Sequence, residues 1–166
     1  MAFRSATQDE KQEILERARS FLHQHHIETY TTEIIQLPFY PDTRLVRLET
    51  PAPSKKYAFI FTSTETFFLQ PHSGAVQTCN AHAPLMLSEA AIHGYARFFY
   101  FYERGLHVFE AKIRRSAVGY SGKIWVFEPG GFFETDINIS MHGSITELEK
   151  TPIPDVPEFD HSDFVL

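Results

Sequence analysis

Residues 94–110 read GYARFFYFYERGLHVFE, and seven of these seventeen residues are aromatic. So much ring surface serves a membrane, a ligand or a core. Taken as a helix with its flanks, about 88–104, the segment is apolar over most of its circumference. Ile92, Tyr95, Phe99 and Tyr102 form one stripe, and Ala91, Phe98 and Phe101 lie beside it. Glu89, His93, Arg97 and Arg104 leave only a narrow polar line. A helix this apolar needs burial on more than one side. The run is too short to cross a bilayer and is interrupted by Gly94 and Arg97. Two readings remain. In one, the helix is the central element of a Phe-rich core. In the other, the hydroxyls of Tyr95, Tyr100 and Tyr102 and the guanidinium of Arg97 line a pocket or partner groove, where Tyr and Arg are favoured.

The whole chain sets bounds on both. At 166 residues it suits one domain with a substantial core. Fifteen basic and 21 acidic residues give a formal charge of −6, which argues against a general nucleic-acid binder. A single cysteine, Cys79, permits no internal disulfide and points to a cytoplasmic setting. The first twenty residues have no apolar signal core, and no window matches a membrane span.

Outward from the aromatic run, the elements follow in order. Residues 8–25 have helical spacing, with Thr7 or Asp9 as cap, Glu13 and Arg17 as an i,i+4 pair, and Ile14, Ala18, Phe21 and Leu22 as the apolar stripe. Residues 1–7 read as a loose start. Strand signals follow in IETYTTEIIQLPF, TRLVRLETP, KKYAFIFTS and TFFLQ, the last two as a hairpin about Ser63-Thr64-Glu65. Residues 71–84, PHSGAVQTCNAHAP, look irregular: either a functional loop or one holding a short strand. The aromatic helix is expected over 88–103, with Ser88 as N-cap and Gly105 as its end.

Four strands close the pattern. In LHVFEAKIRR, His107, Phe109, Ala111 and Ile113 alternate with Val108, Glu110, Lys112 and Arg114. In FFETDINIS, Phe133, Thr135, Ile137 and Ile139 share one side. GKIWVFE lies between these two, GSITELE comes last, and Pro129-Gly130-Gly131 and His142-Gly143 are the turns. The expected fold is α+β: a curved antiparallel sheet packed on two helices, cystatin-like or NTF2-like in outline. Residues 1–154 make a single domain, and 155–166 an acidic, proline-containing tail. The tail either frays or docks through Phe159, Phe164, Val165 and Leu166.

Candidate chemistry is sparse. His23 and His26 stand i,i+3 and could share a metal with His25 nearby, but zinc needs three or four ligands and a solvated helix end is the preferred reading. Cys79 and His82 could pair as thiol and base, though nothing around Cys79 has a recognisable signature. Glu110, Glu128, Glu134 and Asp136 are best read as cross-strand partners of Lys112 and Lys123. No phosphate-binding glycine loop, dinucleotide fingerprint or nucleophile elbow is present, so no metal site and no cofactor is expected.

Residues 57–157 resemble a group of uncharacterised bacterial proteins common in proteobacteria. Asn80, the helix start Leu87-Ser88-Glu89, the run Tyr95-Ala96-Arg97-Phe98-Phe99 and the ending MHGSITELEKTPI carry the likeness. The group's Gly-Pro-Phe after the helix is replaced by Gly105-Leu106-His107. The resemblance implies a bacterial origin and an intact domain, and assigns no catalytic residue.

Two functional expectations result. The first is a non-catalytic cytoplasmic domain that binds an apolar small ligand or a protein partner, with homodimerisation among the options. Its site would be Tyr95, Arg97, Tyr102, Asn80 and His82. The second is an enzyme of unrecognised class using His82, Cys79 or His93.

Overall fold

A computed structural model describes residues 3–22, 30–50 and 54–154. The fold is α+β and antiparallel throughout. The strands divide into two sheets, and a third helix lies where an irregular loop was expected. The first sheet runs β1 (Arg4–Ser5), β2 (Thr31–Gln36), β3 (Arg44–Glu49), β4 (Lys56–Phe61) and β5 (Thr66–Leu69), each paired with the next. The second is a meander of β6 (His107–Ser116), β7 (Gly119–Glu128), β8 (Gly131–Ser140) and β9 (Ile145–Ile153). Helix α1 (Gln8–Ala18) separates β1 from β2, and α2 (Ala75–His82) and α3 (Ile92–Phe99) separate the sheets in sequence. A π-helical turn, Tyr100–Arg104, continues α3 and ends at Gly105 in the left-handed conformation.

The division into two sheets follows from the aromatic helix. Tyr95, Phe98, Phe99, Tyr100 and Tyr102 are all buried, so one sheet could not cover them. The layers are α1, the first sheet, α3 with its π turn, and the second sheet. Alternation along each strand supplies both interfaces of the first sheet. Ile34, Val46, Leu48, Phe59 and Phe61 pack with Ile14 and Ala18 of α1 and with Leu22 just beyond it. Ile35, Leu45, Ile60 and Leu69 face the other way, into a core shared with α2, α3 and Ile113, Ile124, Val126, Ile137 and Ile139 of the second sheet. Each fully buried ring or branched side chain there contributes roughly 1.5–3 kcal/mol.

Local sequence explains most elements. Thr7 and Glu10 form a reciprocal capping box at α1, and Glu13 pairs with Arg17 at 3.3 Å. The expected alternation of β8 holds, with Thr135, Ile137 and Ile139 buried. In β6 it does not. A bulge between Val108 and Glu110 shifts the register, so Val108 joins Ala111 and Ile113 in the core while Phe109 packs on Phe132, ring centroids 5.0 Å apart. Residues 1–7 are not wholly loose either: Arg4 and Ser5 pair with Ile34 and Glu33.

Helix α2 has a cap that comes from far along the chain. Gly74, its N-cap residue, provides no side chain. The carboxylate of Glu103, itself buried, accepts hydrogen bonds from the N–H groups of Gly74 at 3.0 Å and Val76 at 3.2 Å. A carboxylate at the positive end of a helix is favourable on both hydrogen-bonding and dipole grounds. The His23, His25 and His26 cluster and the 155–166 tail lie outside the described residues.

Two predictions follow from these caps. Glu103→Ala is expected to cost about 1–3 kcal/mol in urea unfolding, because the buried Val76 N–H and the half-buried Gly74 N–H lose their acceptor. Arg4 first, and the Thr7 backbone N–H second, hold the Glu10 carboxyl down at about 2 from its ordinary 4.5. Its contribution to stability is therefore complete above about 4.5 and is lost as pH falls towards 2. A side-chain carboxyl titration followed by NMR should show Glu10 with a midpoint near 2.

Candidate functional site

The five expected binding residues separate into two groups. Asn80 and Tyr95 belong to a polar chain inside the core. The Tyr40 hydroxyl donates to Asn80 Oδ1, Asn80 Nδ2 donates to the Tyr95 hydroxyl at 2.7 Å, and that hydroxyl donates to the Gly143 carbonyl at 2.6 Å. The chain joins the segment after β2, α2, α3 and the β8–β9 turn. Burial pushes the Tyr40 and Tyr95 phenols far above their ordinary range, so both stay protonated donors. Gly143 is required at its end of the chain. Its φ is +78°, and a Cβ there would press on the Tyr95 hydroxyl and stand 2.6 Å from both Asn80 Nδ2 and Leu85 Cδ2. These groups bond to one another and tie the core together, and neither Asn80 nor Tyr95 lines the cleft at Arg97 and Tyr102.

Arg97 and Tyr102 do line a cavity. A cleft of about 650 Å³ opens between the first sheet, on the face away from α1, and the C-terminal end of the aromatic helix. Arg47 and Ala58 come from the sheet, Arg97, Phe101 and Tyr102 from the helix and its π turn, and Val108 from β6. Such a volume lies in the range of small-molecule sites. The π turn is what aims Phe101 at the cleft while Tyr100 and Glu103 turn inward.

The charges in the cleft are unevenly matched. Glu49 and Lys56 pair at 3.9 Å on the sheet wall, and Glu33 stands opposite Arg47 in the β2–β3 register. Arg47 stacks over the Phe3 ring at 3.9 Å and reaches the Tyr102 hydroxyl at 3.4 Å. Burial raises the Tyr102 phenol above its ordinary range despite the nearby Arg47. Arg97 is exposed and donates to the Phe109 carbonyl at 3.1 Å; among the described residues it has no carboxylate partner. Three cations against two carboxylates give the cleft a positive excess in a chain of net charge −6.

The groups considered for catalysis do not converge. Cys79 is fully enclosed, and burial pushes its thiol up to about 12, which removes the thiolate. His82 points outward on the same helix, with Nδ1 at 2.8 Å from the Thr78 carbonyl and its ring beside Phe67. His93 sits with Nε2 at 3.4 Å from the Ile113 N–H. None of the three lines the cleft. The carboxylates of the second sheet form ion pairs: Lys123 with Glu134 and Asp136 and Lys112 with Glu110 on its outer face, and Lys150 with Glu128 on the side that also carries Val126 and Thr135. Among the described residues no cluster of three His, Cys, Asp or Glu could hold a metal, and no helix is long and apolar enough to cross a membrane.

Sequence reasoning missed Arg47, Ala58 and Val108. They come from separate strands, and only the register of the folded sheets brings them together.

No protein-family model matches the chain, and neither a curated protein nor a solved structure does.

The two groups should separate in stability measurements. Tyr95→Phe removes a buried donor and acceptor and is expected to cost about 1–3 kcal/mol. Gly143→Ala should cost about 3 kcal/mol or more, from left-handed strain and overpacking together. Tyr102→Phe, at the cleft wall, is expected to stay within about 1 kcal/mol of the parent. Urea midpoints of the three variants check the order.

Proposed function

We propose that the chain is a non-catalytic binding domain whose cleft takes an amphipathic small ligand with an anionic group. Phe101, Val108 and Ala58 receive the apolar body, and Arg97, with Arg47 behind it, receives the anion. The observation that carries this reading is an exposed guanidinium, without a carboxylate partner among the described residues, at the mouth of an aromatic-walled cavity. A bacterial, cytoplasmic setting belongs to the same proposal. It is supported by the single buried cysteine and by the Tyr95-Ala96-Arg97-Phe98-Phe99 resemblance. That motif has a physical account: Tyr95, Phe98 and Phe99 build the core and Arg97 faces the cleft.

A second reading, a protein partner or a second copy, has one observation of its own. On the outer face of the second sheet, Phe109, Phe132 and Phe127 form a ring cluster, and Phe127 is 50% exposed. The enzymatic alternative has no comparable support, because His82, Cys79 and His93 share no cleft.

Anilinonaphthalene sulfonate, an anionic aromatic probe, distinguishes the surfaces. It should bind the full chain saturably at one site. Arg97→Glu should weaken it about tenfold or more, since a charge-assisted hydrogen bond is worth about 1.5–3 kcal/mol. Phe127→Ser should leave it unchanged. Binding that ignores Arg97 and is lost with Phe127→Ser would replace the cleft with the outer sheet face.

A further inference from the structure

We propose that the cleft is built for a flat, ring-bodied monocarboxylate, and that Ala58, in its floor, is the residue that admits the ring. The inference rests on the cleft being the binding site. It starts from the register of the first sheet. On the face away from α1, one cross-strand row reads Ile35, Leu45, Ile60 and Phe67. All four belong to the core shared with the aromatic helix. The next row on that face, two residues along each strand, reads Glu33, Arg47, Ala58 and Leu69. Every member of this row lines the cleft. The cleft therefore opens at the step from Ile60 to Ala58. Ala58 is the one small residue in a strand whose other members are Lys, Tyr, Phe, Ile and Phe. Close packing would need a large side chain from the facing helix to take up the space. Tyr102 does not, because its ring is held against Phe98 at 5.0 Å and Phe101 at 4.8 Å.

The short side chain leaves a slot between the sheet and the ring-bearing turn of the helix. A rigid ring enters such a slot without the loss of rotamer freedom that a flexible chain suffers. Phe101 and Tyr102 stand at 90° to each other, so the walls offer a ring both a face and an edge. The charges set the other half of the ligand. Glu33 stands opposite Arg47, and Glu49 pairs with Lys56 at 3.9 Å. Of the three cations among the described residues of the cleft, that leaves Arg97 for a ligand. Arg97 gives one N–H to the Phe109 carbonyl, and the remaining donors of its planar fork match a carboxylate. A second carboxylate at the far end of the ring would meet Glu33 and Glu49 on the floor, where like charges repel.

Calorimetric titration of the full chain with naphthoate, a two-ring monocarboxylate, is the test. Naphthoate should bind at one site. A naphthalene dicarboxylate with its groups at opposite ends should bind about tenfold more weakly or worse, and decanoate about fivefold more weakly. Ala58→Leu should weaken naphthoate about tenfold or more and benzoate, with its single ring, less than about threefold. A variant that merely loosened the fold would weaken both alike. If the leucine variant shows no urea transition, Ala58→Val gives the same order with a smaller loss. Equal losses for the two ligands, no loss for either, or a dicarboxylate or decanoate that matches naphthoate would overturn the proposal. Arg97→Glu separates this failure from failure of the cleft itself. If Arg97→Glu weakens naphthoate and Ala58→Leu does not, the cleft stands and the role of Ala58 is rejected. If anilinonaphthalene sulfonate binds through Arg97 and naphthoate does not bind, the cleft stands and the ligand class is rejected. If neither ligand responds to Arg97→Glu, the cleft reading falls and this proposal with it.

Discussion

A helix that is apolar on nearly every side cannot rest on a surface; it has to be enclosed. From Ile92 to Arg104 this chain builds such a helix, and the remaining elements are arranged to cover it. One antiparallel sheet would leave half of the rings of Tyr95, Phe98, Phe99 and Tyr102 in water. The first sheet covers one side, with α1 closing that sheet's far face, and the second sheet covers the other. The ring pairs inside, such as Phe39 with Tyr95 at 5.3 Å and Phe98 with Tyr102 at 5.0 Å, are tilted or edge-on, as aromatic quadrupoles favour.

Enclosing tyrosines brings their hydroxyls into the core, where an unpaired polar group costs free energy. Each of three finds a partner in a different element. Tyr95 donates to the turn at Gly143, Tyr100 to Glu147 of β9 at 2.9 Å, and Tyr120 to the Leu87 carbonyl at 3.0 Å. The first two bonds fix the second sheet against the aromatic helix, and the third ties that sheet to the α2–α3 segment, which apolar contact alone would leave free to slide. The same helix creates the cleft. Where its last turn widens into a π turn, the two sheets no longer close fully over it, and Arg97, Phe101 and Tyr102 face open space.

Much of the fold was legible in the residues. The Thr7 cap of α1, the hairpin about Ser63-Thr64-Glu65, the β8 alternation and the burial of the aromatic run are local patterns, and local physics reads them correctly. What was not legible depends on partners distant in sequence. The N-cap residue of α2, Gly74, has no side chain and its neighbouring N–H groups are held by the distant Glu103, so the segment looked irregular. The bulge at Phe109 reverses the faces of β6 at one residue, and no proline or glycine marks it. For the site, Arg97 and Tyr102 were recognisable as Tyr/Arg surface chemistry on a helix. Asn80 and Tyr95 carried the same signal, yet they bond to each other and to Gly143. Arg47 and Ala58 carried no signal, because a cleft wall made of three strands has no sequence motif.

Whether the cleft is the working surface of this protein is tested most directly by an amide chemical-shift map of the isotope-labelled full chain as anilinonaphthalene sulfonate is added. A ligand held by Arg97 against the end of the aromatic helix shifts Arg47, Ala58, Arg97, Phe101 and Val108 together, and leaves Trp125 and Phe127 unmoved. A map centred on Trp125, Phe127 and Phe132 contradicts the cleft and makes the outer face of the second sheet the binding surface instead.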